Sequence, residues 1–80
     1  MVKLFLALLL FSTLLFSAVN VNRATSAQLQ TLNGIGPYKA QEIIKYRKSH
    51  ASFNSVDELV NVKGIGPKTL MKMKSQVAIH

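Results

Sequence analysis

The sequence predicts an all-α fold, a compact bundle of about four short helices, and two observations carry that expectation. The tetrapeptide Gly-Ile-Gly-Pro occurs at residues 34–37 and again at 64–67, 30 residues apart. Around each copy lie helix-start signals and apolar residues at helical spacing, which makes each half of the region one helix, a tight turn and a second helix. No strand pattern competes strongly, although Val19-Asn20-Val21-Asn22 alternates and can lie extended against the bundle.

Sliding the chain by 30 positions aligns Leu29 with Leu59, Leu32 with Val62, the whole tetrapeptide with its copy, and Ala40 with Leu70. The halves therefore read as two copies of one supersecondary unit. Thr25 with Gln28 forms a capping box ahead of the first helix, and Ser55 with Glu58 forms another ahead of the third. These short helices run to about Thr31 and Asn61. Each ends in the glycine turn, and the chain restarts at Pro, whose φ suits a first helical position.

The second helix, from Pro37 to about Ser49, places Ala40, Ile43, Ile44 and the stem of Arg47 on one stripe. The fourth, from Pro67 to about Gln76, does the same with Leu70, Met73 and Val77, and carries Lys68, Lys72 and Lys74 around it. Residues 49–54 connect the halves, with Phe53 as a core plug. The expected core is Leu29, Leu32, Ile35, Ile43, Ile44, Phe53, Leu59, Val62, Ile65, Leu70 and Val77.

Residues 1–18 stand apart. From Leu4 to Val19 the chain is apolar except for Ser12, Thr13 and Ser17, with a single basic residue, Lys3, before the run. That is the shape of a secretory signal peptide, and 16 residues fall short of the roughly 20 needed to span a bilayer. Its cleavage site is poor, because cutting after Ala18 leaves Phe16 three positions back. A retained membrane anchor is the alternative. The expected organisation is a leader over 1–18 and one helical domain over 19–80.

Charge narrows the partner. Setting Lys3 aside, the remaining nine Lys and Arg face three Asp and Glu, a net +6 that favours a polyanion. The chain has no cysteine, so export would bring no disulfide. His50 and His80 have too few companions to bind a metal, and Asp57 and Glu58 read as first-turn helix residues, so neither a metal site nor a catalytic set is expected. Met71 and Met73 read as gap-filling or semi-exposed packing, and Tyr38 and Tyr46 are open to sugar contact or stacking, with packing at least as strong a reading.

Each glycine turn reads as a holder for one phosphate. Glycine lets the backbone approach a ligand, main-chain N–H groups face outward at the start of the following helix, and Ile35 or Ile65 anchors the turn in the core. The candidate contacts are Gly34, Ile35, Gly36, Gly64, Ile65 and Gly66, with Lys39, Lys63 and Lys68 adding attraction. Two clamps one structural unit apart suit a repeating polyanion such as nucleic acid.

The segments Leu32-Asn33-Gly34-Ile35-Gly36-Pro37-Tyr38-Lys39-Ala40 and Val62-Lys63-Gly64-Ile65-Gly66-Pro67-Lys68, joined through Ile43-Ile44-Lys45-Tyr46-Arg47 and Phe53-Asn54-Ser55-Val56-Asp57-Glu58-Leu59, resemble the tandem helix-hairpin-helix domain of ComEA-like competence proteins. The resemblance covers residues 19–79. It implies a SAM/HhH-like bundle that binds double-stranded DNA without sequence preference through hairpin amides, as an exported or periplasmic receptor in DNA uptake during natural transformation. It further implies an inner-membrane DNA channel as partner, with oligomerisation on DNA open, and membrane contact only through the leader. No cofactor is implied, and a monovalent cation at a hairpin loop is the one ion left open. A secreted protein-binding scaffold without DNA binding is the alternative of a different class, and a DNA-repair fragment is a third reading, which the leader disfavours.

Two positions depart from that family. Asn33 stands where the first hairpin usually has Pro, which predicts a looser loop. Ala51 stands where Gly usually follows the second helix, which predicts strain in a left-handed cap.

Overall fold

A computed structural model describes residues 18–79; the leader expected over 1–18 lies outside this range except for Ala18. The elements run β1 (Val19–Asn20), α1 (Ser26–Leu29), α2 (Pro37–His50), a 3-10 helix (Val56–Asn61), α3 (Pro67–Met73), a 3-10 turn (Lys74–Gln76) and β2 (Val77–Ala78). Among the described residues the fold is the expected all-α bundle of four short helices, one of them 3-10, with a two-residue strand pair added.

The internal repeat is a repeat of the core. Leu29 and Leu59, Leu32 and Val62, Ile35 and Ile65, Ala40 and Leu70 are all buried. The next pair in the same register, Ile43 and Met73, is fully buried too. Phe53, buried between the halves, is the expected plug, and its ring stacks on Tyr46 at a centroid distance of 5.0 Å.

The two helix starts differ. At α1 the capping box forms as expected: Gln28 N donates to Thr25 Oγ1, and Thr25 N donates to Gln28 Oε1. The box expected at Ser55 does not form, since the Ser55 side chain makes no cap bond and the segment that follows is a 3-10 helix. Glu58 is drawn away, accepting from Asn54 N through Oε1 and from the Tyr46 hydroxyl through Oε2. With its carboxylate tying the connection to α2, Glu58 cannot also fold back on Ser55.

The two ends of the described residues meet. Val19 pairs in parallel with Val77 and Asn20 with Ala78, so the alternating segment does lie extended against the bundle. This corrects the place of Val77: α3 stops at Met73, and Val77 sits half-buried in β2 rather than on a helical stripe. Ile44 is also half-buried at the core edge. In exchange Val21 and Ala24 enter the core, which the helical stripes did not include. The extended segment is locked by a reciprocal pair, Phe53 N to Asn22 Oδ1 at 2.7 Å and Asn22 Nδ2 to the Phe53 carbonyl at 3.2 Å. Arg47 adds a third tie, its Nη1 donating to the Val21 carbonyl at 2.9 Å.

Beyond α2, Ala51 takes φ 62° and ψ −154°. That region is occupied almost only by glycine, and an alanine there carries strain of about 1–3 kcal/mol. The cap is not the left-handed one expected, since a ψ of −154° puts Ala51 outside that region, although its positive φ is still one that alanine resists.

Candidate nucleic-acid interface

Each hairpin is built from the same three backbone bonds. In the first, Leu32 N donates to Leu29 O, Ile35 N to Leu32 O at 3.1 Å, and Ala40 N to Gly36 O at 3.0 Å. In the second, Val62 N donates to Leu59 O, Ile65 N to Val62 O at 3.0 Å, and Leu70 N to Gly66 O at 3.0 Å. The apolar residue between the glycines closes the turn with its amide and anchors it with its side chain, Ile35 and Ile65 both being buried. The site's outward amides are therefore those of the glycines: among the described residues, the N–H groups of Gly34, Gly36, Gly64 and Gly66 have no acceptor within the chain.

The two glycines of each turn serve different needs. Gly34 and Gly64 adopt φ of +82° and +91°, which side chains resist. Gly36 and Gly66 have ordinary extended backbone, and a Cβ at either would meet nothing within 4 Å. Among the described residues, nothing asks for glycine at 36 or 66. What a missing Cβ provides there is access for a group outside.

The hairpins also face one another. A Cβ on Gly34 would lie 3.5 Å from Thr69 Cγ2 and 3.8 Å from Lys72 Cδ, both on α3. A Cβ on Gly64 would lie 3.6 Å from Lys39 Cγ and 3.6 Å from Tyr38 Cε1, both on α2. Lys39 and Thr69 occupy equivalent places in the repeat, so each hairpin abuts the first turns of the helix that follows the other. This local two-fold relation makes the turns neighbours.

The lysines follow from that crossing. Lys39 stretches between the loops, its stem over Gly64 and its ammonium 3.3 Å from the Gly34 carbonyl. Lys63 and Lys68 are exposed on either side of the second turn, as expected. Lys72 belongs to the site and was missed, because its stem lies beside the first hairpin although the sequence places it eight residues after Gly64. Only the reciprocal packing of the halves reveals it. Elsewhere Lys45 pairs with Glu42 at 3.7 Å and Lys74 with Asp57 at 3.0 Å, while Arg23 and Lys48, away from the hairpins, have no ion pair among the described residues. With Glu58 held by Tyr46 and Asn54, all three carboxylates have partners, and Lys63, Lys68 and Lys72 have none among the described residues.

Asn33 corrects the expectation of a looser first loop. Its N–H donates to Gln76 Oε1 at 2.8 Å, and its side chain donates to the Lys72 carbonyl at 3.2 Å. A proline could make neither bond.

A family model described as a helix-hairpin-helix motif matches residues 16–78. The chain belongs to the helix-hairpin-helix family. It is 41% identical over 61 residues to ComE operon protein 1 of Bacillus subtilis, a match covering 76% of this chain and 30% of that protein. It is 40% identical over 60 residues to an uncharacterized protein of Haemophilus influenzae, covering 74% of this chain and 54% of the other. A third relative, human endonuclease/exonuclease/phosphatase family domain-containing protein 1, is 39% identical over 59 residues, 74% of this chain and 10% of that one. This helix-hairpin-helix chain thus spans between a tenth and about half the length of these relatives, and its tandem domain is of the ComEA-like kind.

Proposed function

We propose that this chain is an exported, sequence-nonspecific double-stranded DNA-binding protein that retains DNA during uptake in natural transformation. The observation that carries the reading is the crossed pair of hairpins, which sets two groups of outward amides side by side among lysines without acidic partners. Phosphate groups on one duplex can be held by both turns at once, through main-chain N–H donors that are indifferent to base sequence. Gly34, Gly36, Gly64 and Gly66 supply the amides, Ile35 and Ile65 hold the turns in shape, and Lys39, Lys63, Lys68 and Lys72 supply charge. No cation is needed at the first loop in this reading, because the Lys39 ammonium already sits against the Gly34 carbonyl.

The apolar leader supports export, and the likeness to ComEA-like competence proteins supports a place outside the inner membrane, handing DNA to a channel within it. Such a role involves no catalysis by this chain. Assembly of several copies along one duplex is compatible with it.

The test is anisotropy of a labelled random-sequence duplex titrated with the full chain in a mild non-ionic detergent. Neutralising about 4 to 6 phosphates gives log K against log salt a slope of about −3.6 to −5.4. A slope near zero would leave the scaffold reading in possession. The matching variant replaces Gly36 and Gly66 together by Asp. Both sites are helix N-caps, where Asp is favourable, so the helical circular dichroism stays. Two carboxylates would then face the phosphates, and affinity falls by about 100-fold or more.

A further inference from the structure

We propose that Tyr38 is a further DNA-contacting residue, laying its ring against the sugar edge of the strand that passes between the two hairpins; this rests on the DNA-binding reading above. The chain has two tyrosines and no tryptophan, and the two are placed in opposite ways. Tyr46 is built into the fold, stacked between His50 at 4.1 Å and Phe53 at 5.0 Å, with its hydroxyl donating to Glu58. Tyr38 is 56% exposed, and its hydroxyl has no partner among the described residues.

Its location is what turns exposure into a proposal. Tyr38 is the second residue of α2, two positions after Gly36, and its Cε1 reaches to 3.6 Å from where a Gly64 Cβ would be. The ring therefore spans from one turn to the other, over the gap that a strand held at both must cross. In the second half the equivalent position is Lys68, so the repeat places a cation on one side and an aromatic face on the other. Lys68 answers to phosphate charge. An aromatic ring answers to the apolar faces of deoxyribose, and covering it removes hydrophobic surface from water.

That difference is measurable, because contacts without charge change affinity and leave its salt dependence alone. Tyr38→Ala in the full chain weakens duplex binding by about 5- to 10-fold at every salt concentration, with the slope of log K unchanged. Tyr38→Phe keeps wild-type affinity, since the ring face makes the contact. Tyrosine emission present in wild type and missing in Tyr38→Phe becomes shielded from acrylamide when duplex is added. The proposal is overturned by wild-type affinity in Tyr38→Ala, by an equal loss in Tyr38→Phe, by a shallower slope in Tyr38→Ala, or by a loss confined to single-stranded DNA. Failure of the wild-type chain to bind duplex at all would instead remove the DNA reading, and this contact with it.

Discussion

In the first hairpin, Asn33 reaches across to Lys72 and Gln76 in the second half, and Lys39 closes over the Gly34 carbonyl. In the second hairpin the place of Asn33 is taken by Lys63, which makes no hydrogen bond or ion pair among the described residues. The backbones of the two turns match, bond for bond, to within a tenth of an ångström in the bonds that close them. Duplication has kept the frame and let the side chains divide the work: one turn is fastened to its partner, and the other is left open and charged. A shared frame with unequal fastenings predicts equal responses to changes in the backbone and unequal responses to changes in the side chains.

The largest stability effect should be an equal one. Gly34 and Gly64 sit at φ of +82° and +91°, and an added Cβ would make only ordinary contacts at 3.5–3.9 Å. Backbone strain is thus the main cost of Gly34→Ala or Gly64→Ala, about 1–2 kcal/mol for each. Urea unfolding followed by circular dichroism measures both. Costs differing by more than about 1 kcal/mol would mean that the turns are not the same device.

The shared frame was the legible part of this sequence. The 30-residue period fixed the paired core positions, because a repeat that buries Leu29 must also bury Leu59. The helix starts at Pro37 and Pro67 followed from residue chemistry, whereas which glycine of each turn takes positive φ, Gly34 and Gly64, did not. What escaped depends on contacts between distant positions. Ser55 with Glu58 had the letters of a capping box, and Tyr46, 12 residues before Glu58, claimed the carboxylate. Val77 fitted a helical stripe until pairing with Val19 drew it into a strand. Asn33 looked loose because its partners lie 39 and 43 residues away. Local patterns named the parts of the site, and the crossing of the halves decided which lysine serves which turn.

Side-chain changes should expose the inequality. Asn33→Ala removes the bond to the Lys72 carbonyl, a loss of about 0.5–1.5 kcal/mol in urea unfolding. Gln76→Ala removes the acceptor for the Asn33 N–H and costs a similar amount. Lys63→Ala, the counterpart change in the second hairpin, stays within about 0.5 kcal/mol of wild type. Equal costs for Asn33→Ala and Lys63→Ala would erase the distinction between a fastened turn and an open one.

The smallest effect tests the crossing itself. If the first hairpin draws charge from α3, Lys72 should count toward DNA binding as Lys63 does, although only Lys63 adjoins a glycine turn in sequence. Lys63→Gln and Lys72→Gln should each make the slope of log K against log salt shallower by about 0.9, one phosphate's share. Lys45→Gln, whose lysine is already paired with Glu42, should leave the slope where it was. Anisotropy titrations of the three variants at four or more salt concentrations separate these cases. A Lys72 variant that behaves like the Lys45 variant would show that each hairpin works with its own flanking residues, and that the reciprocal packing holds the fold together without shaping the binding face.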